Sequence, residues 1–162
     1  MPELILHLPD EHATGVLGRW LASLLKPGMV IFLKGDLGAG KTTLVRAVLR
    51  ALGVMGPVKS PTYTLLEFYV TSRLNLYHFD FYRFNNPKEW LEAGFRDYFS
   101  THTICLVEWP EKAGDLLPSP DLTISIDFAG EGRTLKLAAE TTKGGACLQA
   151  LSDFARPYIL SG

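Results

Sequence analysis

Residues 35–42 form a glycine-rich run, GDLGAGKT, that matches the pattern G-x-x-x-x-G-K-[ST] at every fixed position. Glycines lack a Cβ atom, so they can adopt φ/ψ values that turn successive backbone N–H groups toward one point and create a concavity for phosphate oxygens. Lys41 then supplies a point charge for the β- and γ-phosphates, and the Thr42 hydroxyl can ligate the Mg²⁺ that bridges them. The run, a P-loop, predicts a binding site for a nucleoside triphosphate with Mg²⁺.

Two acidic residues each close an apolar run and are candidates for the carboxylate that a P-loop magnesium site requires. Glu108 follows four apolar residues, 104–107, so we expect it at the carboxyl end of a buried strand, where ligands bind. Asp80 closes residues 76–79 and could position the attacking water or support the metal's ligands through a second hydrogen bond. The sequence favours Glu108 as the metal-side acid, with a surface carboxylate at a strand end as the alternative for both.

A polar loop and three single residues complete the candidate set. Ser60 and Thr62 flank a proline where phosphate-sensing loops are often found, and their hydroxyls could contact the γ-phosphate or its metal. An ordinary Ser-Pro turn is the alternative. Trp109 is interpreted as a ring beside the site, with core packing as the alternative. Arg83 and Arg133 could supply charge to the triphosphate, although isolated arginines are more often solvated or ion-paired.

The elements that must position the glycine run are visible on both sides of it. Residues 29–33 form a continuous apolar run, as expected for a strand buried on both faces of a parallel sheet. Residues 41–52 show helical spacing and end at Gly53, a favoured C-terminal cap. Upstream, apolar residues at helical spacing predict an amphipathic helix from Asp10 until Pro27 stops it. The run therefore lies between a strand and a helix, which is the context the motif requires.

The remainder of the chain alternates strand and turn signals. Residues 63–69 and 74–81 predict an antiparallel hairpin, on which His78 is interpreted as a structural histidine. Residues 103–107 predict a second buried strand, whereas the apolar–polar alternation at 122–128 predicts a half-exposed edge strand. A short helix, a turn, a strand and a final helix are predicted at residues 87–93, 129–132, 134–138 and from 144 onward. This order predicts an α/β fold, a mixed sheet of the P-loop NTPase type flanked by helices.

Composition restricts the classes of partner. The chain has 162 residues, 47% of them hydrophobic, and a formal net charge of −1, so we expect one domain over 1–162 without a general attraction to nucleic acid or anionic membranes. Cys105 and Cys147 are too far apart for a paired zinc motif and too few for a disulfide framework, and are predicted to be buried, reduced thiols. No run approaches membrane-spanning length and no leader pattern opens the chain, so we expect a cytoplasmic protein.

Four sequence blocks, in order, resemble the bacterial TsaE (YjeE) family. They are the glycine run extended to residue 43, VKSPTYTL at 58–65, HFDFYR at 78–83 and VEWP at 107–110, followed by a glycine–arginine pair at 132–133. The one departure is phenylalanine at Phe81 and Phe84, where the family usually has leucine, an exchange that is neutral for packing and leaves the polar residues in place. The resemblance covers most of the chain.

The resemblance implies a small ATPase needed to form threonylcarbamoyladenosine next to the anticodon of tRNA. It implies ATP or ADP and Mg²⁺ as cofactors and the TsaB–TsaD pair as partners, with tRNA reached only through them and hydrolysis serving regulation. Lys41, Asp80 and Glu108 would be the catalytic residues, with Thr42 and Glu108 holding Mg²⁺. The nucleotide-binding residues that it implies are Glu11 near the base, Asp36, Leu37, Gly38, Ala39, Gly40, Lys41, Thr42 and Thr43 around the phosphates, Thr62 in a γ-phosphate-responsive loop, and Arg133.

Three rival classes share the P-loop. A small-molecule kinase usually closes an arginine-rich lid over its substrates, and the longest irregular stretch, residues 110–120, contains no arginine. A GTPase would need a guanine-reading Asn-Lys-x-Asp sequence, which the chain lacks. A nucleotide-gated binding module with negligible turnover would make the same phosphate contacts and stays open.

Overall fold

The computed structural model describes residues 2–160 of the chain. Its strands are β1 (Glu3–Leu8), β2 (Val30–Lys34), β3 (Leu66–Val70), β4 (Asn75–Asp80), β5 (Thr103–Glu108), β6 (Leu122–Ala129) and β7 (Gly132–Ala139). Its helices are α1 (Glu11–Leu24), α2 (Lys41–Ala51), α3 (Lys88–Glu92) and α4 (Thr142–Phe154), with short 3₁₀ segments at Phe95–Tyr98, Pro110–Leu116 and Arg156–Tyr158. None of the helices within this described part is long and apolar enough to cross a membrane.

The strands form one mixed sheet in the order β1-β7-β6-β2-β5-β4-β3. At its centre β2 runs parallel to both β5 and β6, and β4 runs parallel to β5. Antiparallel hairpins join β3 to β4 and β6 to β7, and β1 adds to β7. The predicted α/β class and mixed sheet are confirmed, and the carboxyl ends of β2, β4 and β5 meet at one edge.

Helices cover both faces of the sheet. One core joins the buried residues of α1, α2 and α4 to alternate strand positions such as Ile31 and Leu76. A second core, rich in aromatic rings, joins Val30 and Phe79 to Trp90 of α3 on the opposite face. Because β2 contributes side chains to both cores, its apolar run is continuous rather than alternating.

One strand was not predicted from the sequence, and the predicted edge position of another is wrong. Strand β1 was not predicted, although Leu4, Leu6 and Leu8 alternate toward the core, because Ile5 stands at an exposed position and hides the alternation. The strand predicted as an edge, β6, lies between β7 and β2. Its alternation reflects a face that the helices leave partly uncovered rather than a position at the edge of the sheet, so a period of two cannot distinguish the two cases.

Cys105 and Cys147 are both buried, and neither forms a disulfide. Burial raises the pKa of the Cys105 thiol to about 12 and that of the Cys147 thiol to about 11. A thiol with such a raised pKa is a poor nucleophile and packs as a small apolar side chain.

Helices α1 and α2 cross closely at Gly18, which explains a glycine in the middle of α1. A Cβ atom at Gly18 would lie 2.4 Å from the Cβ of Ala47, whereas one at Gly15, on the same helix, would meet no atom within 4 Å. We therefore expect Gly18→Ala to lower the free energy of unfolding by about 1–3 kcal/mol through overpacking. Gly15→Ala should raise it by about 0.5–1 kcal/mol, because alanine is the better helix former. Urea unfolding of both variants checks the pair, and changes of the same sign would contradict the close crossing.

Candidate functional site

The glycine run forms the loop that connects β2 to α2. Gly35 has φ +150° and approaches β6 so closely that a Cβ atom would lie 2.6 Å from the carbonyl oxygen of Ile126. Gly40 has φ +114° and stands at the N-cap of α2 without any side-chain cap. The first N–H groups of α2 therefore lack an intrahelical or capping acceptor and are available, with the positive end of the helix dipole, to an anion.

The loop separates two cavities. The Glu108 cavity, with a volume of about 530 Å³, is lined by the loop together with Ser60, Thr62, Asp80, Glu108 and Trp109. The Glu11 cavity, of about 550 Å³, is lined by the other side of the loop, the start of α1 and residues 131–133. A triphosphate on the loop would thus have polar residues on one side and a second recess on the other.

The two strand-end acids come together in the Glu108 cavity. Asp80 of β4 and Glu108 of β5 are register partners, and both carboxylates are buried, with residue exposures of 2% and 3%. The Thr42 hydroxyl lies 3.5 Å from Glu108 Oε2. Asp80 accepts hydrogen bonds from the Thr62 hydroxyl, at 3.1 Å, and from the Tyr82 backbone N–H, at 2.9 Å. These positions exclude the alternative that either acid is an ordinary surface carboxylate.

His78 also belongs to this site, through a contact with Glu108 that was not predicted from the sequence. Its Nε2 lies 2.6 Å from Glu108 Oε2 in a fully buried pair, while Nδ1 has no partner among residues 2–160. His78 stands two residues before Asp80 on β4 and so faces the same side of the sheet. The two-residue spacing between His78 and Asp80 was the sequence signal that could have placed His78 at the site. Only the pairing of β4 with β5 shows which carboxylate His78 contacts. The imidazole holds the Glu108 carboxylate in one orientation.

Lys41 is buried at the floor of the Glu108 cavity. Its ammonium group donates to the Gly35 carbonyl oxygen and lies 4.1 Å from the centre of the Trp109 ring. Burial lowers the pKa of Lys41, and the negative charges of Glu108 and Asp80 oppose that change. The Trp109 indole N–H is buried without an acceptor in the described part of the chain, while its ring lines the cavity. Trp109 therefore lies beside the site, as interpreted from the sequence.

Backbone strain borders the same cavity. Among the described residues, Leu65 and Trp109 are the only non-glycine residues with a left-handed φ, at 69° and 57°. Trp109 directly follows Glu108, and Leu65 ends the turn that carries Thr62. The Leu65 N–H donates to the Pro61 carbonyl oxygen at 2.7 Å, and its carbonyl accepts from Asp80 N–H at 3.0 Å. Strained backbone of this kind clusters at ligand sites and switch segments.

The 60–65 turn is also tied through side chains to the edge of the sheet where Asp80 and Glu108 lie. The hydroxyls of Ser60 and Thr62 lie 2.8 Å apart, and Thr62 also reaches Asp80. Ser60 and Thr62 thus line the cavity where a γ-phosphate would extend from the loop. Arg83, by contrast, does not line this cavity, and its guanidinium lies 4.5 Å from the centre of the Tyr63 ring.

Arg133 supports the loop from the opposite side. Its Nε donates to the Ala39 carbonyl oxygen at 2.7 Å, and its guanidinium lies 4.5 Å from the centre of the Phe128 ring. Arg133 and Glu11 both line the Glu11 cavity, and Thr43 lines both cavities. Leu37 is exposed at the mouth of the Glu108 cavity, while the Asp36 carbonyl oxygen accepts from Ala39 N–H at 3.0 Å within the loop.

Side-chain oxygens in the Glu108 cavity fit a magnesium ion. Mg²⁺ prefers oxygen ligands at about 2.1 Å in an octahedron, which places neighbouring ligands about 3 Å apart. The 3.5 Å between Thr42 Oγ1 and Glu108 Oε2 is close to that separation. No cluster of three or more histidine, cysteine or acidic side chains in residues 2–160 could hold a metal by itself. A site with two protein ligands completed by phosphate oxygens and water is the usual arrangement for Mg²⁺.

Comparison with known proteins finds one family that matches most of the chain. The model of the family described as threonylcarbamoyl adenosine biosynthesis protein TsaE matches residues 8–135. The tRNA threonylcarbamoyladenosine biosynthesis protein TsaE of Haemophilus influenzae is 42% identical over 158 residues, which cover 94% of this chain and 100% of the relative. The protein of the same name from Bacillus subtilis is 40% identical over 123 residues, covering 76% and 75%. A crystal structure of Bacillus subtilis YdiB superimposes with a TM-score of 0.81 at 31% identity, over 94% of this chain and 95% of that one.

Proposed function

Because this chain belongs to the TsaE family and acts in tRNA threonylcarbamoyladenosine biosynthesis, we propose that it is a cytoplasmic, Mg²⁺-dependent ATPase whose nucleotide state controls docking to TsaB–TsaD. One observation carries the proposal. Lys41, Thr42, Asp80 and Glu108 come from three separate segments and line one cavity beside the glycine loop. Contact with tRNA is made through the partners, since the net charge of −1 gives no general attraction to RNA.

Nucleotide binding would rest on the loop and on Lys41. Backbone N–H groups of the loop and of the first turn of α2 would donate to the phosphates, and the Lys41 ammonium would pair with the β- and γ-phosphates. Thr42 and Glu108 would hold Mg²⁺, which would neutralise charge on the phosphates. The Glu11 cavity, which Arg133 lines beside the loop, would take the nucleoside end.

Hydrolysis would be assisted by Asp80. In this reaction an oxygen of water forms a bond to the γ-phosphorus while the bond to the bridging oxygen breaks, which gives ADP and inorganic phosphate. Asp80 would orient this water and accept its proton, since the carboxylate stands in the cavity with one oxygen fixed by Tyr82 N–H. Burial raises the pKa of Asp80, the Tyr82 hydrogen bond opposes that rise, and the charge of Glu108 adds to it. A raised pKa makes a carboxylate a better proton acceptor.

The 60–65 turn would connect the nucleotide to the partner. Thr62 contacts Asp80 inside the cavity, while the next residue, Tyr63, is largely exposed. A γ-phosphate that draws the Thr62 hydroxyl toward itself would therefore change the position of a surface ring. Loss of that phosphate on hydrolysis would reverse the change.

Thr62→Ala should weaken nucleotide-dependent binding to TsaB–TsaD by about five- to tenfold, since the side-chain hydrogen bonds that it removes are worth roughly 1 kcal/mol. Affinity for Mg·ATP should change less, because Lys41 and the loop supply most phosphate contacts. The measurement is a titration with TsaB–TsaD in Mg·ATP and in Mg·ADP, beside a direct titration with Mg·ATP. Thr64→Ala is the matched control, because the Thr64 hydroxyl contacts Glu67 on the exposed side of the same turn. An unchanged partner titration for Thr62→Ala would remove the switch role.

A further inference from the structure

A groove between α1 and α2 carries half of the chain's eight arginines. Its first part, of about 870 Å³, is lined by residues that include Arg19, Arg46 and Arg50. A second part, of about 650 Å³, shares Arg19 with the first and continues to Arg73 in the β3–β4 turn. We call this combined surface the arginine groove. It lies on the face of the sheet opposite to α3.

The charge of the arginine groove is not balanced within the described chain. Glu11 is the one acidic residue among the residues that line it, and α2 contains no acidic residue. None of its arginines forms an ion pair with an acidic side chain of residues 2–160. Arg46 and Arg50 lie four residues apart on α2, a like-charge spacing that destabilises a helix. A chain with a net charge of −1 thus concentrates positive charge on one surface.

Two of the four arginines are held in place by backbone carbonyls. Arg50 Nη1 donates to Val54 O at 2.8 Å and to Gly56 O at 2.6 Å, and Arg73 Nη2 donates to Ala22 O. A guanidinium has five N–H donors, so each retains donors for another group. Arg19 and Arg46 are exposed and make no side-chain hydrogen bond to the described residues. The groove therefore offers two guanidinium groups fixed by backbone carbonyls and two without a hydrogen bond to the described residues, and guanidinium groups are the donors best suited to carboxylates and phosphates.

The floor of the groove distinguishes a protein ligand from a nucleic acid. It is made of small side chains and apolar stems, at Gly15, Val16, Ala47 and Ala51; no Phe, Tyr or Trp lines the groove, and the His12 imidazole is the one ring among its lining residues. Single-stranded nucleic acids are bound through stacking on aromatic rings, and a phosphate backbone gains nothing from an apolar floor. A peptide segment that carries both carboxylates and small apolar side chains could pair with the arginines and pack on the apolar floor at the same time.

We infer that the arginine groove docks an acidic segment of a protein partner, with carboxylates on Arg19 and Arg46 and apolar side chains on the floor. This inference rests on the proposed partnership with TsaB–TsaD and assigns the surface through which that pair binds. Glu11 and Thr43 line both the groove and the Glu11 cavity, so the docked segment lies against the first turn of α2, one residue beyond Thr42. Docking and nucleotide binding therefore act on the same helix end.

The test is charge reversal at Arg46, alone and together with Arg19→Glu. Affinity for purified TsaB–TsaD in Mg·ATP should fall at least tenfold for Arg46→Glu and further for the double variant, with a shallower dependence on salt. Affinity for Mg·ATP should stay within twofold of wild type. Lys88→Glu, at the exposed start of α3 on the other face, makes the same change in net charge and should leave TsaB–TsaD affinity unchanged. Arg46→Ala should give a smaller loss in the same direction, which separates lost pairing from a folding defect.

The possible failures point to different conclusions. Wild-type affinity for TsaB–TsaD in all three groove variants would overturn the groove alone. A wild-type protein that binds Mg·ATP but never TsaB–TsaD would refute the proposed partnership, and this inference with it. A tRNA anticodon stem-loop titrated alone provides the remaining outcome: if wild type binds it and the variants lose it while keeping TsaB–TsaD affinity, the groove is a phosphate-backbone site and the proposal is wrong.

Discussion

Lys41→Ala should lower the affinity for Mg·ATP by at least about a hundredfold, since hydrogen bonds to charged groups are worth about 1.5–3 kcal/mol each and Lys41 would serve two phosphates. Among residues 2–160, the substitution also leaves Asp80 and Glu108 as the only charged side chains that line the Glu108 cavity, so the cavity becomes repulsive toward a triphosphate. Isothermal titration calorimetry of the variant with Mg·ATP and Mg·ADP measures the loss.

A matched lysine controls for the change in net charge. Lys34 lies at the exposed end of β2, one residue before the glycine loop. Lys34→Ala removes the same charge close to the loop without removing a group from the cavity, and it should bind Mg·ATP within about twofold of wild type. If Lys41→Ala bound Mg·ATP with unchanged affinity, the assignment of the glycine loop as the phosphate site would be refuted.

Glu108→Gln should reduce Mg²⁺-dependent ATP hydrolysis by about a hundredfold and raise the Mg²⁺ concentration needed for half-maximal turnover. Glutamine keeps the shape of the side chain and a possible hydrogen bond to His78, but it removes the charge that would hold the metal with Thr42. Binding of ATP without Mg²⁺ should be retained or improved, because one negative charge leaves the cavity. Steady-state assays over a Mg²⁺ titration, beside metal-free ATP titrations, separate the two effects.

The comparison variant for this prediction is Glu111→Gln. Glu111 lies three residues beyond Glu108 and is exposed in the Pro110–Leu116 segment, so it loses the same charge outside the cavity. It should retain wild-type turnover and Mg²⁺ dependence. Equal Mg²⁺ dependence of Glu108→Gln and wild type would show that Glu108 is not the metal-side acid, and Asp80 would then take that role.

The features of the site that could be predicted from the sequence are those encoded within a single segment of the chain. The glycine loop is contiguous, so glycine positions and their spacing were enough to predict its place between β2 and α2. Asp80 and Glu108 were each predicted as strand-end acids from the apolar run before them. Their meeting in one cavity depends on the parallel pairing of β4 with β5, which no pattern within a single strand reports. The contact of His78 with Glu108 was not predicted for the same reason.

The parts of the fold that were missed or misplaced in the prediction from sequence have similar physical causes. Strand β1 was not predicted because an exposed isoleucine, Ile5, obscures its alternation, and β6 was placed at an edge because a half-covered face produces the same pattern as an edge. The arginine groove depends on where α1 crosses α2, at Gly18 and Ala47, a contact between residues 29 positions apart in the sequence. In the sequence, each of these arginines by itself looks like an ordinary solvated side chain. The groove could therefore not be predicted from the sequence.

The central claim, a Mg²⁺-dependent ATPase coupled to a partner, is tested most directly by steady-state ATP hydrolysis with Mg²⁺. The assay compares wild type and Glu108→Gln, each alone and with purified TsaB–TsaD. We expect slow turnover by the wild-type protein alone, a clear rise when TsaB–TsaD is added, and a loss of both in Glu108→Gln. Absence of turnover in every condition, with Mg·ATP still bound by the wild-type protein, would contradict the proposal and favour a kinase or a passive nucleotide-gated module.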